Sequence, residues 1–138
     1  MSLIIKPCIT TADFKAFVQL PFDLYKGNKY WVPPLKSDEI NSLKAATNPA
    51  FANCDAQFWI AKEGNKVVGR VAAIINKLHN EATNESMCRV SRIEFVDDKN
   101  VSALLLNTVE AWAKEKGMKG VHGPLGFTNL DHQAVMIE

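Results

Sequence analysis

The chain has 138 residues, 47% hydrophobic and 22% charged, a composition typical of one globular domain over residues 1–138. Sixteen basic residues balance fifteen acidic ones, so the net charge is +1. This charge argues against nucleic acid or an anionic membrane as a partner of the chain as a whole. It does not exclude a local basic patch that binds one of them. No stretch approaches the roughly 20 apolar residues of a membrane span, and none resembles a signal peptide, so we expect a cytoplasmic protein.

The cysteines and histidines do not form a recognisable metal or disulfide pattern. Cys8, Cys54 and Cys88 are odd in number and include no C-x-x-C pair, which argues against a disulfide framework and a zinc ribbon. The three histidines lack the spacing of metal ligands. We therefore expect reduced thiols and no metal.

The N-terminal pattern predicts a strand followed by a helix. Residues 3–5 are typical of a short strand. Thr10 is a candidate N-cap, and Asp13 three residues later makes an approximate capping box. The helix is predicted to end near Leu20, because Pro21 disfavours continuation.

An aromatic segment with turn residues follows at residues 21–35. It is too apolar and too stiff for a linker, so we expect it to be ordered and packed on the domain. Tyr25, Tyr30 and Trp31 are candidates for the wall of a substrate pocket, the alternative being a loop that covers the sheet. A helix is predicted over residues 38–46.

Three strands are predicted in the middle of the chain. Residues 58–62 and 66–75 are separated by a short loop, which predicts a β-hairpin, and the polar residues 76–86 predict a loop.

The third strand, residues 88–96, changes phase. Cys88 and Val90 share one parity and Ile93 the other, which indicates a bulge near residues 91–92; a strand buried on both faces, which need not alternate, is the alternative.

The clearest element is a long helix with one apolar stripe. Asp97 or Asp98 is a suitable N-cap, and Gly117 a suitable stop. Residues 121–122 begin another strand, so strand, helix and strand form a βαβ unit with parallel strands. The stripe consists of Val101, Leu104, Leu105, Thr108 and Trp112.

This order of elements resembles the GNAT N-acyltransferase fold: an α/β (α+β) protein with a mixed sheet, a β-hairpin, a central βαβ unit and flanking helices. Residues 103–118 resemble its central helix. Residues 20–35, 68–76 and 122–127 resemble a bacterial group of GNAT-like proteins in which this segment is the N-terminal part of a longer chain.

The same resemblance implies that C-terminal elements of the fold are missing. Residues 135–138 have the pattern of an element cut off without a strand to pair with. We therefore expect either a homo-oligomer or a C-terminal partner domain.

The resemblance implies an acyl-CoA-dependent N-acyltransferase, with acetyl-CoA or another acyl-CoA as cofactor and a small molecule or amine as acceptor. The alternative is a non-catalytic GNAT-like domain that binds a ligand or a partner. The family usually holds the CoA pyrophosphate with a Q/R-x-x-G-x-G/A loop, but residues 96–102 here contain no glycine and carry Asp97 and Asp98.

The cofactor contacts implied by the resemblance are backbone groups at the strand end and the helix start, together with the lysine cation there. They are Phe95, Val96, Lys99, Asn100 and Val101.

The resemblance also places Glu94 near the end of the strand that borders the reactive centre, as a candidate general base. The alternative is a solvated strand-edge carboxylate or a partner for Arg89 or Arg92. Residues 123–129 either line the acceptor cleft or form only a sharp turn.

Overall fold

A computed structural model describes residues 2–127, which form a mixed sheet with helices on both faces. The strands, in spatial order, are β1 (Leu3–Pro7), β2 (Cys54–Glu63), β3 (Lys66–Asn76), β4 (Met87–Phe95) and β5 (Gly120–His122). The helices are α1 (Thr11–Leu24), α2 (Lys36–Ser42), α3 (Lys77–Thr83) and α4 (Lys99–Glu115), and a 3₁₀ turn spans Pro49–Ala52.

The sheet topology confirms the α/β fold expected from the sequence. β1 to β4 pair antiparallel, with β2 and β3 forming the predicted hairpin. β4 and β5 pair in parallel on either side of α4, which confirms the βαβ unit. The element predicted at residues 135–138 lies outside the described residues.

Side-chain alternation along β2 and β3 divides the core between two layers. One layer packs against α4 and the other against α1, and the central strands are buried on both faces. The first layer includes Trp59, Ala61, Val71, Ala73, Val101, Leu105 and Val109. The second includes Phe17, Val18, Phe58, Ile60, Ala72 and Ile74. All three cysteines are buried free thiols, as expected.

The predicted bulge in β4 is confirmed. Ser91 pairs with Ala72 and Glu94 pairs with Arg70, so two residues of β4 lie opposite one residue of β3. Arg92 adopts the left-handed conformation there, with φ of 52°. The extra residue changes which face each following side chain points to.

α1 begins as predicted but does not end where predicted. Thr10 and Asp13 form the capping box. The expected end near Leu20 is wrong, because the helix continues through Pro21 to Leu24. Proline removes the N–H that would bond the Phe17 carbonyl, and another donor replaces it, as described below.

Two further boundaries differ from the prediction. The helix expected over residues 38–46 is α2, Lys36–Ser42, and it ends early because Asn48 Nδ2 donates to the Ser42 carbonyl at 2.7 Å. The loop expected over residues 76–86 contains α3, which begins at an Asn76 cap whose side chain accepts from the His79 N–H at 3.0 Å. α3 has no buried residue and therefore no apolar stripe to predict it.

α4 lies close to the sheet because Gly69 has no side chain. A Cβ at Gly69 would lie 2.8 Å from Val101 Cγ1 and 3.0 Å from Leu105 Cδ1. The helix begins at the predicted Asp98 cap, and Gly117 follows its last turn, with the Gly117 N–H bonded to the Lys114 carbonyl at 3.0 Å.

Replacing Gly69 by alanine tests this close approach. We expect Gly69→Ala to lower the free energy of unfolding by about 1–3 kcal/mol, because the added methyl displaces α4. Val101→Ala removes the nearer of the two atoms that the methyl would meet, so the two substitutions should cost less together than the sum of their separate effects. Urea unfolding followed by circular dichroism measures all four proteins. Additive losses would contradict the steric argument.

Candidate active site

The β4 bulge brings Glu94 beneath the end of α1. Before the bulge, the side chains of Cys88 and Val90 lie in the layer that packs against α4. After the bulge, the Ile93 side chain packs against the same layer. Glu94 therefore points to the α1 side, where the Tyr25 hydroxyl donates a hydrogen bond to Glu94 Oε2. Both side chains are half-buried.

Arg70, the residue paired with Glu94 across the sheet, ties this arrangement together. Its side chain is 6% exposed and lies over the Phe17 ring, with 4.7 Å from Cζ to the ring centroid. Arg70 Nη1 donates to the Phe17 carbonyl at 3.0 Å, replacing the N–H that Pro21 lacks. Arg70 Nε donates to the Arg92 carbonyl at 2.9 Å, on the bulge itself.

The charges of this cluster set the proton affinities of Glu94 and Tyr25. Burial raises the pKa of the Glu94 carboxyl, while the Tyr25 hydrogen bond and the Arg70 charge act in the opposite direction. Burial and the adjacent Glu94 hold the pKa of Tyr25 well above its usual range, so Tyr25 remains a donor. Burial lowers the pKa of Arg70 to about 10, opposed by Glu94 and Glu39, so Arg70 remains cationic at neutral pH.

The arginines named in the alternative interpretation of Glu94 have other contacts. Arg92 Nε lies 3.9 Å from Glu39 Oε2, and Arg89 Nη1 donates to the Gly126 carbonyl at 3.0 Å. Sequence reasoning missed Arg70 and Glu39. An arginine inside the apolar run of β3 was the available signal for Arg70, because a buried charge requires partners.

β4 separates from β5 beside this cluster. Within residues 2–127 the two strands pair only from Met87 to Arg89 on β4, and the Val90 carbonyl then accepts from the Leu125 N–H at 2.9 Å. In the same part of the chain, Glu94 and Phe95 pair with β3 alone. Among the described residues, β4 past the bulge is therefore paired on its β3 side alone.

The start of α4 is already occupied by its own cap. Asp98 Oδ1 accepts from the Asn100 N–H at 2.8 Å, and the Asp98 carbonyl accepts from the Val101 and Ser102 N–H groups at 3.1 and 3.2 Å. The Val96 N–H is bonded to the Val68 carbonyl at 3.0 Å. Of the predicted cofactor contacts, the amides of Val96, Asn100 and Val101 are thus engaged within the chain, and a pyrophosphate would bind them only by replacing these bonds.

The three predicted pocket aromatics are separated by the structure. Trp31 packs against Tyr25, with 5.5 Å between ring centroids, and Tyr25 reaches Glu94. Tyr30 lies on the outside, 73% exposed, beside the Lys29 ammonium.

The remaining expectations concern metals and membrane spans. His79 lies on α3 and His122 on β5, while His132 is beyond the described residues. Among residues 2–127 there is no cluster of His, Cys, Asp and Glu able to hold a metal ion. Neither is any helix in this range long and apolar enough to cross a bilayer.

Two curated proteins resemble the chain in sequence. Protein YghO of Escherichia coli (strain K12) is 31% identical over 98% of the chain, which covers 34% of that protein. The Bacterial ceramide synthase of Caulobacter vibrioides (strain NA1000 / CB15N) is 29% identical over 95% of the chain, again 34% of that protein. The chain thus spans about a third of the length of these relatives. No family model matches the chain.

Solved structures of acetyltransferases share the fold. A tandem GNAT protein from the clavulanic acid biosynthesis pathway aligns with a TM-score of 0.67 at 16% identity, over 85% of this chain and 34% of that one. A putative acetyl transferase from Pyrococcus furiosus aligns with a TM-score of 0.58 at 15% identity, over 99% of this chain and 98% of that one. At these identities the likeness concerns the fold.

The replacement of the missing Pro21 N–H by Arg70 predicts an energetic coupling between the two positions. Arg70→Met should lower the free energy of unfolding by about 3 kcal/mol, because two buried carbonyls lose their donor. Pro21→Ala restores an N–H for the Phe17 carbonyl and should recover about 1 kcal/mol in the Arg70→Met background, but less in the wild type. Urea unfolding of the four proteins gives the coupling, and equal effects of Pro21→Ala in both backgrounds would refute it.

Proposed function

We propose that this chain, which has the GNAT fold, carries the amide-forming site of a longer acyl-CoA-dependent N-acyltransferase, with Glu94 as general base. The observation that carries the proposal is the half-buried Glu94 carboxylate, turned by the β4 bulge toward Tyr25 and next to the stretch of β4 that, within residues 2–127, pairs on one side only. A carboxylate so placed is suited to accept a proton from an amine bound between α1 and β4.

Glu94 and Tyr25 have different roles in this reaction. Amide formation joins the amine nitrogen to the acyl carbon and breaks the thioester C–S bond. Glu94 accepts the proton that the nitrogen loses and returns it to the departing thiolate, so the carboxylate is regenerated. Burial makes Glu94 a stronger base than an exposed glutamate. Tyr25 bonds Oε2 and orients the carboxylate; no other side chain of residues 2–127 has a hydrogen bond to Oε1, which is left for the acceptor.

An acyl-CoA supplies an acyl group already activated as a thioester. Of the predicted contacts, Phe95 and Lys99 are the two whose side chains are exposed near the start of α4: Phe95 is 36% exposed and the Lys99 side chain is exposed. We propose that the donor lies along the β4 edge and that its pyrophosphate is held weakly, because Asp98 occupies the helix start with a negative charge.

The name of one relative suggests the class of acceptor. A ceramide is an amide of a long-chain amino alcohol, so a ceramide synthase forms the kind of bond proposed here. We propose a long-chain amine as the acceptor of the whole protein. The second candidate function is a non-catalytic domain that binds a ligand or a partner, and the capped start of α4 is the observation that favours it.

Titration of acetyl-CoA into the chain tests donor binding. We expect weak, saturable heat, and Asp98→Asn should tighten binding by about two- to fivefold, because asparagine keeps the cap but removes the charge. Glu110→Gln, on the exposed side of α4, is the matched control and should leave the affinity unchanged. Absence of heat from both the folded wild type and Asp98→Asn favours the non-catalytic candidate.

Substitutions of Glu94 and Tyr25 test the general base. With acetyl-CoA and octylamine, Glu94→Gln should lower kcat/KM by about 10²–10⁴-fold, while the Glu110→Gln control should not. Tyr25→Phe removes the bond that stabilises the carboxylate, so the pKa of Glu94 should rise and the acid limb of the pH–rate profile should move to higher pH.

A carboxyl-carbon NMR titration measures the same pKa without turnover. A Glu94 pKa that Tyr25→Phe leaves unchanged or lowers would contradict the assigned hydrogen bond.

A further inference from the structure

Residues 26–36, here called the Lys-Pro segment, expose apolar side chains that a folded domain normally covers. Tyr30, Val32 and Leu35 are 73%, 82% and 70% exposed. They occur within six consecutive residues between α1 and α2. Single exposed apolar residues are ordinary, but a group of them marks a surface that contacts something else.

The Lys-Pro segment is held in place by an inward anchor. Trp31 packs edge-to-face on Phe22, with ring centroids 5.1 Å apart, and lies against Tyr25. Two consecutive prolines, residues 33–34, fix their own φ angles and bias the residues before them toward extended backbone, and Leu35 has φ −72° and ψ 125°, the polyproline II conformation. Val32 and Leu35 are three residues apart, which is one turn of a polyproline II helix, so they share a side.

Lysines interleave with these apolar side chains. Lys26, Lys29 and Lys36 are exposed, and residues 24–37 contain no acidic residue, while the exposed Asp23 and Asp38 adjoin this stretch at its two ends. The Lys29 ammonium lies 5.1 Å from the centroid of Tyr30, and Lys36 Nζ lies 4.6 Å from that of Phe22 and donates to Gln19 Oε1. The three lysine charges therefore lie among the exposed apolar side chains, and the nearest carboxylates in sequence stand at the ends of the stretch.

We propose that the Lys-Pro segment docks this domain on the surface of an anionic lipid bilayer. Tyrosine and aliphatic side chains enter the headgroup boundary, while lysines extend their charge to lipid phosphates. A protein partner fits less well, because lysine is depleted from the buried centres of protein interfaces. The docking concerns a surface and requires no membrane-spanning helix.

Co-sedimentation with lipid vesicles tests the proposal. We expect the chain to bind vesicles of phosphatidylcholine mixed with phosphatidylglycerol and to bind pure phosphatidylcholine far more weakly. The triple variant Lys26→Gln, Lys29→Gln, Lys36→Gln should lower the partition coefficient about a hundredfold, at about fivefold per lysine. The triple variant Tyr30→Ser, Val32→Ser, Leu35→Ser should lower it by tenfold or more, at about tenfold for each fully buried aliphatic side chain.

The matched control removes the same charge elsewhere. Lys66→Gln, Lys114→Gln, Lys119→Gln replaces three exposed lysines and should change the partition coefficient by less than about threefold, because those charges lie away from the docked surface. Circular dichroism verifies that every variant is folded.

Three results overturn the proposal. The first is a folded wild type that binds neither kind of vesicle, and the second is a control variant that loses as much binding as the Lys-Pro segment variants. The third is a dimer, seen by analytical sedimentation, that the serine variant converts to monomer, since a second copy would then cover the surface. None of these measurements involves acyl transfer, so the outcome is independent of the proposed reaction.

Discussion

The candidate site depends on two hydrogen bonds that the buried guanidinium of Arg70 donates. It replaces the hydrogen bond that Pro21 removes from α1, and it bonds the carbonyl of the bulge residue in β4. The end of α1 that presents Tyr25 and the strand segment that presents Glu94 are thus tied to one side chain. A buried charge without partners is costly. The Glu39 and Glu94 carboxylates favour the charged form of Arg70, and they therefore belong to the same cluster of side chains.

This cluster meets two requirements that usually conflict. A general base must be shielded from water to gain basicity, yet reachable by the substrate. Glu94 is half-buried beneath Tyr25, but it lies on the part of β4 that pairs on one side only within residues 2–127. The sheet itself, and not a mobile loop, positions the carboxylate, so its orientation is as well defined as that of the neighbouring core.

The sequence predicted the elements whose signals are local or periodic. The capping box at Thr10, the Asp98 cap, the hairpin and the parallel βαβ unit required only spacing and turn chemistry, and the phase slip in β4 revealed its bulge. It did not predict contacts across the fold. The continuation of α1 through Pro21 depends on Arg70, which is 49 positions away along the chain, and α3 has no apolar face that periodicity could detect.

The bulge in β4 also has a consequence at the level of the gene. Substitutions near Arg92 change a side chain, whereas one codon added there would shift the two-residue repeat of β4 by a further residue. Glu94 would then point into the apolar layer that contains Val101 and Leu105. β4 is therefore expected to tolerate a change of residue near Arg92 far better than an added residue, and a lengthened strand would mark a descendant that has abandoned the carboxylate.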